Sequence, residues 1–220
     1  CPNLCSLPYQ KNILRTVKTL MSNTIFPYLC NSNNFNGPAT EWHTDQAANT
    51  DCFAVKVAFY LDELDENNGG LRFLPCSHRE PLNSDLWDFG LHGSNETDIK
   101  DYQSKSGLEI DQVPSYYCRT NPGDMVIFNL KIWHSSLGGQ KNRRNVTINY
   151  SKYPETESES ESLKNLAIQS KQTMKRLNFP APQFSNYWID QVRNSPNHEW
   201  LNSLYEFGFI EKKFLKGGPM

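Results

Sequence analysis

The chain has 220 residues, with 22 Lys+Arg against 24 Asp+Glu and a formal net charge of −2. That length suits a single domain with a substantial core, and the balanced charge lacks the basic footprint of a nucleic-acid binder. No apolar run approaches the roughly 20 residues of a membrane span and no charged-then-apolar leader opens the chain, so a soluble protein of the cytoplasm is expected. The hydrophobic fraction of 37% is low for a globular domain, which predicts long polar loops around a compact core.

In chain order, Ile13, Leu14, Val17, Leu20 and Met21 recur at helical spacing and predict a helix over roughly residues 10–22. Short apolar or alternating runs follow: Thr24–Cys30, Cys52–Leu61, Leu71–Leu74 and Met125–Phe128, with Asn145–Tyr150 after Gly138-Gly139. Clusters of Asn, Gly, Pro and Asp separate them, a pattern of short antiparallel strands in a sandwich or barrel. Residues 80–122 read as a long polar connection studded with aromatics, suited to a lid or insert. The run ETESESES at 155–162 reads as a solvated acidic linker. Beyond it, three amphipathic helices are expected within 163–215: one through Leu163, Leu166, Ala167, Met174 and Leu177, one through Phe184, Tyr187, Trp188 and Val192, and one opening at Ser195-Pro196 and stopping near Gly208. Their aromatic stripes suit packing on the sheet. The whole of 1–220 reads as one domain, with its core at 24–152.

Six scattered cysteines without a CxxC fit a reducing compartment rather than a disulfide scaffold. The glycosylation-type triplets at Asn95 and Asn145 read as chance matches, the second because it lies in a strand. The chain opens on Cys1 rather than Met, so a leader or N-terminal segment is expected to precede it.

Trp42-His43-Thr44-Asp45-Gln46 is the first chemical signal. On an extended segment residues i and i+2 share a side, so His43 and Asp45 can offer an imidazole nitrogen and a carboxylate oxygen to one metal ion. His134 is the candidate third ligand, and two His with one carboxylate form the facial triad of non-haem Fe(II) oxygenases. The HxD pattern alone carries little weight, since a second His-x-acid match, His78-Arg79-Glu80, occurs among only five histidines. Gln46 and Trp42 flank the motif and suit substrate contact and packing equally. In the strand after it, Lys56, Ala58 and Tyr60 alternate with Val55, Val57, Phe59 and Leu61, and one of the two sets must face the interior. Arg143 shares a face with Asn145, Thr147 and Asn149, whereas Arg144 shares one with Val146, Ile148 and Tyr150, which favours Arg143 as the residue lining a site.

The order of these features carries more information than any one of them. His43-Thr44-Asp45 is followed by Asn68-Gly69-Gly70-Leu71-Arg72-Phe73-Leu74-Pro75-Cys76-Ser77-His78, then Asn121-Pro122-Gly123-Asp124-Met125-Val126-Ile127-Phe128, His134, and the Arg143-Arg144 strand. This succession resembles the phytanoyl-CoA dioxygenase family of Fe(II)/2-oxoglutarate oxygenases. The resemblance implies a mainly β fold, the double-stranded β-helix or jelly roll, with flanking α-helices. It implies that His43, Asp45 and His134 bind iron, and that Arg143, placed first in its pair as in the family, anchors 2-oxoglutarate. Ser136, two residues after the distal ligand, is implied to help hold that cosubstrate, and Tyr60 is placed on its wall. His78 takes the place of a structural histidine, and Cys76 stands where the family has Gly. Only 42 residues precede His43, fewer than the family usually has, so part of the pocket wall is expected outside this sequence.

The implied activity is hydroxylation of a small molecule, with Fe(II), 2-oxoglutarate and O₂ required and no nucleic-acid or membrane partner. The carboxylate of Asp45 favours hydroxylation over halogenation, because halogenating relatives lack it. Two other readings fit the fold and ligand set: a metal-binding or inactive jelly-roll binding module, and a Zn²⁺-dependent hydrolase using the same three ligands.

Overall fold

The computed structural model describes residues 5–21, 25–35, 40–47, 49–92, 96–136, 143–176, 178 and 184–215. Among the described residues there are eight strands: β1 (Ile25–Phe35), β2 (Thr40–His43), β3 (Ala54–Tyr60), β4 (Arg72–Phe73), β5 (Tyr116–Tyr117), β6 (Met125–Asn129), β7 (His134–Ser136) and β8 (Arg143–Lys152). They form two four-stranded sheets, ordered β1-β8-β3-β6 and β2-β7-β4-β5. The first strand pairs the last, the second the seventh, the third the sixth and the fourth the fifth, as if one long hairpin had been wound into a double-stranded β-helix. The fold is therefore mainly β, a jelly roll with helices, as expected. Strands β2, β5 and β7 were absent from the expected set, because at two to four residues they are too short to show a period.

The chain divides into two compact units, one of residues 1–30, 50–55 and 148–220, the other of 31–49 and 56–147. The second unit holds at least part of every strand. Trp42 and Trp133, both fully buried, pack with Leu91, Tyr102 and Val113 in its core. Burial of each such side chain contributes on the order of 1.5–3 kcal/mol. Three of these residues lie in the 80–122 segment, which differs from the expected long loop. It carries α2 (Leu82–Asp88), α3 (Glu96–Ser106) and β5, and its turns donate carbonyls to the core: Ile110 O accepts from Trp42 Nε1 at 3.1 Å.

Within the first unit, α1 (Lys11–Met21) buries Ile13, Val17 and Met21, one face of the expected helix. The acidic run expected as a linker is instead the first turns of α4 (Glu157–Arg176). Thr156 Oγ1 accepts the Glu159 amide, and Glu159 Oε2 accepts the Thr156 amide, a reciprocal capping box. Glu157 and Glu159 then sit in the first turn, where the helix dipole favours negative charge. Leu163 and Ala167 are buried as expected, while Leu177 lies outside the described residues. The second expected helix is α5 (Asn186–Arg193), capped by Ser185 Oγ accepting from the Trp188 amide. The third, α6 (Glu199–Glu206), begins after a turn at 195–198 rather than at Ser195. It ends at Gly208, whose φ of +83° lets Phe209 N reach Leu204 O and Gly208 N reach Tyr205 O. This exit brings Phe207 onto Phe26 and Phe209 onto Tyr28, with ring centroids 5.7 and 5.3 Å apart.

Cys76 has a φ of +65° and is exposed, in the turn where the resemblance implies Gly. The left-handed conformation is strained for any side chain that carries a Cβ. Cys76→Gly is therefore expected to stabilise the protein by about 0.5–1 kcal/mol, read from urea unfolding midpoints, and a loss of stability would show that this turn carries no strain. Cys5, Cys30, Cys52, Cys76 and Cys118 carry free thiols. Among the described residues no helix is long and apolar enough to cross a membrane.

Candidate active site

All the site residues belong to the second unit. β2 and β7 are antiparallel, with Thr40 opposite Ser136 and His43 opposite His134. Three steps along β2 match two along β7, so a bulge in β2 brings the two histidines side by side, ring centroids 4.2 Å apart and the rings tilted by 50°. The chain then leaves β2, and Leu130 O accepts both the Asp45 and Gln46 amides, which turns the Asp45 side chain back toward the histidines. His134 Nε2 lies 3.4 Å from Asp45 Oδ2, and His43 Nε2 lies 4.0 Å from Asp45 Oδ1. One ligand atom from each residue falls within 4.8 Å of the others, a spacing that suits one shared ion.

The orientation of each group suits a metal. His43 Nδ1 contacts Glu41 O at 2.7 Å and His134 Nδ1 contacts Ile132 O at 2.9 Å. A carbonyl only accepts, so each Nδ1 carries its proton and each Nε2 presents a lone pair to the centre. Asp45 Oδ1 accepts from Lys56 Nζ at 2.6 Å, whereas Oδ2 is buried and has no hydrogen-bond partner among the described residues. A buried carboxylate oxygen in that condition costs free energy unless an ion meets it, and two imidazole nitrogens beside it complete a set suited to a divalent transition metal.

Burial pushes the His134 imidazole down to about 4 against the opposing pull of Asp45, so the ring is neutral and ready to ligate at neutral pH. Burial works against ionisation of Asp45, but Lys56, then His134 and His43, hold its carboxyl below the usual range. The rings of Phe128 and Phe73, at 4.8 and 6.0 Å, supply the apolar surroundings of His134. The unfolded chain protonates this histidine near 6.5 and the folded apo-protein only near 4, so between these values the unfolded state binds more protons. Stability of the apo-protein is thus expected to fall as pH drops from about 6.5 toward 4, by up to about 3 kcal/mol from this group. Urea unfolding at two pH values checks it; a His134→Asn variant that kept the full slope would refute the assignment.

A cavity of about 140 Å³ opens beside His43 and His134. Arg143, Asn145 and Thr147 of β8 line it, as do Lys56, Ala58 and Tyr60 of β3, which resolves the choice between the two alternating sets on that strand. The buried Arg143 donates through Nη1 to Gly69 O and Ser136 Oγ, each at 2.7 Å, and through Nη2 to Thr40 Oγ1 at 3.3 Å. Arg144 points the other way, exposed, with its guanidinium on the Asp62 carboxylate at 2.6 Å. Burial raises the Tyr60 phenol well above its ordinary value, so it stays a neutral O–H donor. Leu71 and Phe128 supply the apolar wall.

The sequence matches the profile of the phytanoyl-CoA dioxygenase (PhyH) family over residues 7–145, well over half of its length. The chain belongs to the phytanoyl-CoA dioxygenase family. Solved structures with the same fold include HygX from Streptomyces hygroscopicus with nickel, 2-oxoglutarate and hygromycin B bound. It is 12% identical, with a TM-score of 0.52 over 69% of this chain and 66% of that one. EvdMO1 is 15% identical with a TM-score of 0.49 over 68% of this chain, and AviO1 from Streptomyces viridochromogenes Tue57 is 16% identical with a TM-score of 0.47 over 66%. The chain spans only 32% and 61% of the lengths of those two proteins. No curated protein sequence matches it.

Among the other residues singled out from the sequence of this family member, Ser136 is buried at the cavity wall beside Arg143. Trp42 and Gln46 are buried, and neither lines the cavity: Trp42 lies under the Arg72 guanidinium, 4.8 Å from ring to charge. His78 stands apart from His43, Asp45 and His134, on the turn that carries Cys76. Two residues without a role assigned from the sequence matter to the site. Lys56 pairs with Asp45, and its signal was a single charge inside the apolar run Ala54–Tyr60. Arg72 is fully buried and donates to Ser135 Oγ, Tyr117 Oη and the carbonyls of Ile110 and Asp111, tying β4 to the strand that carries His134.

Proposed function

We propose that this chain is an Fe(II)/2-oxoglutarate-dependent oxygenase that hydroxylates a small molecule, with His43, Asp45 and His134 as the metal ligands and Arg143 as the anchor of the cosubstrate. The observation that carries this reading is the convergence of two imidazole Nε2 atoms on the Asp45 carboxylate, one oxygen of which is buried and unpartnered, beside a cavity lined by both histidines and the buried Arg143 guanidinium. Three ligands on one side leave positions open on the other, as the facial triad requires. When bound, iron and 2-oxoglutarate supply the oxidising chemistry: dioxygen is consumed, the oxo acid becomes succinate and CO₂, and a substrate C–H bond becomes C–OH.

The protein's own contribution is positional. Glu41 O and Ile132 O hold the imidazoles in the ligating tautomer, and Lys56 holds Asp45 with one oxygen turned to the centre. Arg143 offers a planar fork suited to the far carboxylate of a dicarboxylic acid, with the Ser136 hydroxyl against it. Tyr60 adds a neutral donor on the same wall. Phe128, Leu71 and Ala58 keep that wall poor in water, which strengthens each polar contact inside.

Anaerobic titration of the apo-protein with Fe(II) and then 2-oxoglutarate tests the reading. A weak visible charge-transfer band that needs both components, followed by succinate release in air, is the expected result. Metal binding without the band would favour a hydrolase or a metal-bearing binding module, and no metal binding at all would leave a binding module alone.

A further inference from the structure

We infer that Lys56 selects a substrate bearing a carboxylate, which docks on the Lys56 ammonium beside the open face of the metal centre. The inference rests on the oxygenase reading above and adds the substrate class to it. Lys56 lines the cavity with its side chain only 17% exposed, and its Nζ makes one hydrogen bond among the described residues, to Asp45 Oδ1 at 2.6 Å. An ammonium has three donors, so two remain for the cavity.

Charge balance points the same way. A divalent ion with one carboxylate ligand, two neutral imidazoles and the carboxylate end of 2-oxoglutarate is neutral, and Arg143 balances the far carboxylate. Lys56 is then one positive charge in excess, in a half-buried wall where an unmatched charge is costly. Distance keeps the two cations apart in role. Lys56 stands four residues from Tyr60 on one face of β3, roughly 13 Å along the strand. Arg143 lies at the Tyr60 end, where the Leu61 amide donates to Arg144 O on the neighbouring strand, while Lys56 is paired with Asp45 at the other end. One short dicarboxylate engaging Arg143 leaves Lys56 for a second anion. A single ammonium suits a monocarboxylate, and a phosphate ester would call for more donors than Lys56 has left.

Protein loaded with Ni(II) and 2-oxoglutarate, titrated calorimetrically with matched acid and amide pairs from acetate and acetamide to octanoate and octanamide, tests this. The wild type is expected to bind at least one acid about tenfold more tightly than its amide. In Lys56→Gln, which keeps a donor for Asp45, that ratio is expected to fall to near one, and in Lys56→Arg to recover. The ratio cancels any change the substitution makes at Asp45. Acids no better than amides in the wild type, or a ratio unchanged in Lys56→Gln, would overturn the proposal. So would a Lys56→Gln variant whose main defect was weakened 2-oxoglutarate, since Lys56 would then serve the cosubstrate. Failure of the wild type to take up Ni(II) and 2-oxoglutarate would instead sink the oxygenase reading beneath it.

Discussion

Asp45→Asn is expected to lower affinity for a divalent transition metal by more than about 100-fold while leaving the fold intact. The substitution is nearly isosteric and leaves an amide oxygen that still accepts from Lys56, so the strand geometry has no cause to change. What it removes is the negative charge that offsets both Lys56 and the incoming ion. Changes at residues that only orient a ligand typically cost 10–100-fold in metal affinity, and loss of a charged ligand costs more. Equilibrium titration with Mn(II) or Ni(II), with circular dichroism as the folding control, measures it. Asp45→Asn binding metal as tightly as the wild type would remove Asp45 from the ligand set. His43→Ala is the companion measurement, because His43 is partly exposed and its removal leaves little of the core disturbed.

Arg143→Met is expected to weaken 2-oxoglutarate binding by between about 30-fold and a few thousand-fold, the usual range when one partner of a buried, hydrogen-bonded charge pair is removed. Methionine keeps the unbranched stem of the side chain and removes the fork that meets Gly69 O, Ser136 Oγ and Thr40 Oγ1. Arg143→Lys keeps the charge without the planar fork and should fall between the two. Arg144→Met is expected to change 2-oxoglutarate affinity less than about threefold, since Arg144 is spent on Asp62 at the surface. Calorimetric titration of the Ni(II)-loaded proteins distinguishes them, and the opposite ranking would reverse the assignment of the two arginines.

The placement of Arg143 was legible from parity alone. Alternate residues of a strand face opposite ways, and on β8 one set is polar and the other apolar, so only one face suited a site. The same rule could not decide β3, whose two sets are both capable of burial, and the strand is in fact buried on both sides. There the deciding fact is tertiary: Asp45 lies where Lys56 can reach it. The helix at Glu157 was also written locally, in the Thr156–Glu159 cap, but its acidic composition resembles a solvated linker, and composition is blind to a reciprocal hydrogen bond.

By itself the sequence determined the family, the order of the candidate metal-binding residues and the periodic elements, because these depend on residue type, spacing and patterns that repeat within a few turns or steps of the chain. The tertiary structure alone decided the short strands β2, β5 and β7, the bulge that sets His43 against His134, and the two neighbours of the site, Lys56 and Arg72. The physical reason is common to all of them. A strand of two to four residues exists only through its partners, and a buried charge is tolerated only where distant segments bring the acceptors that meet it.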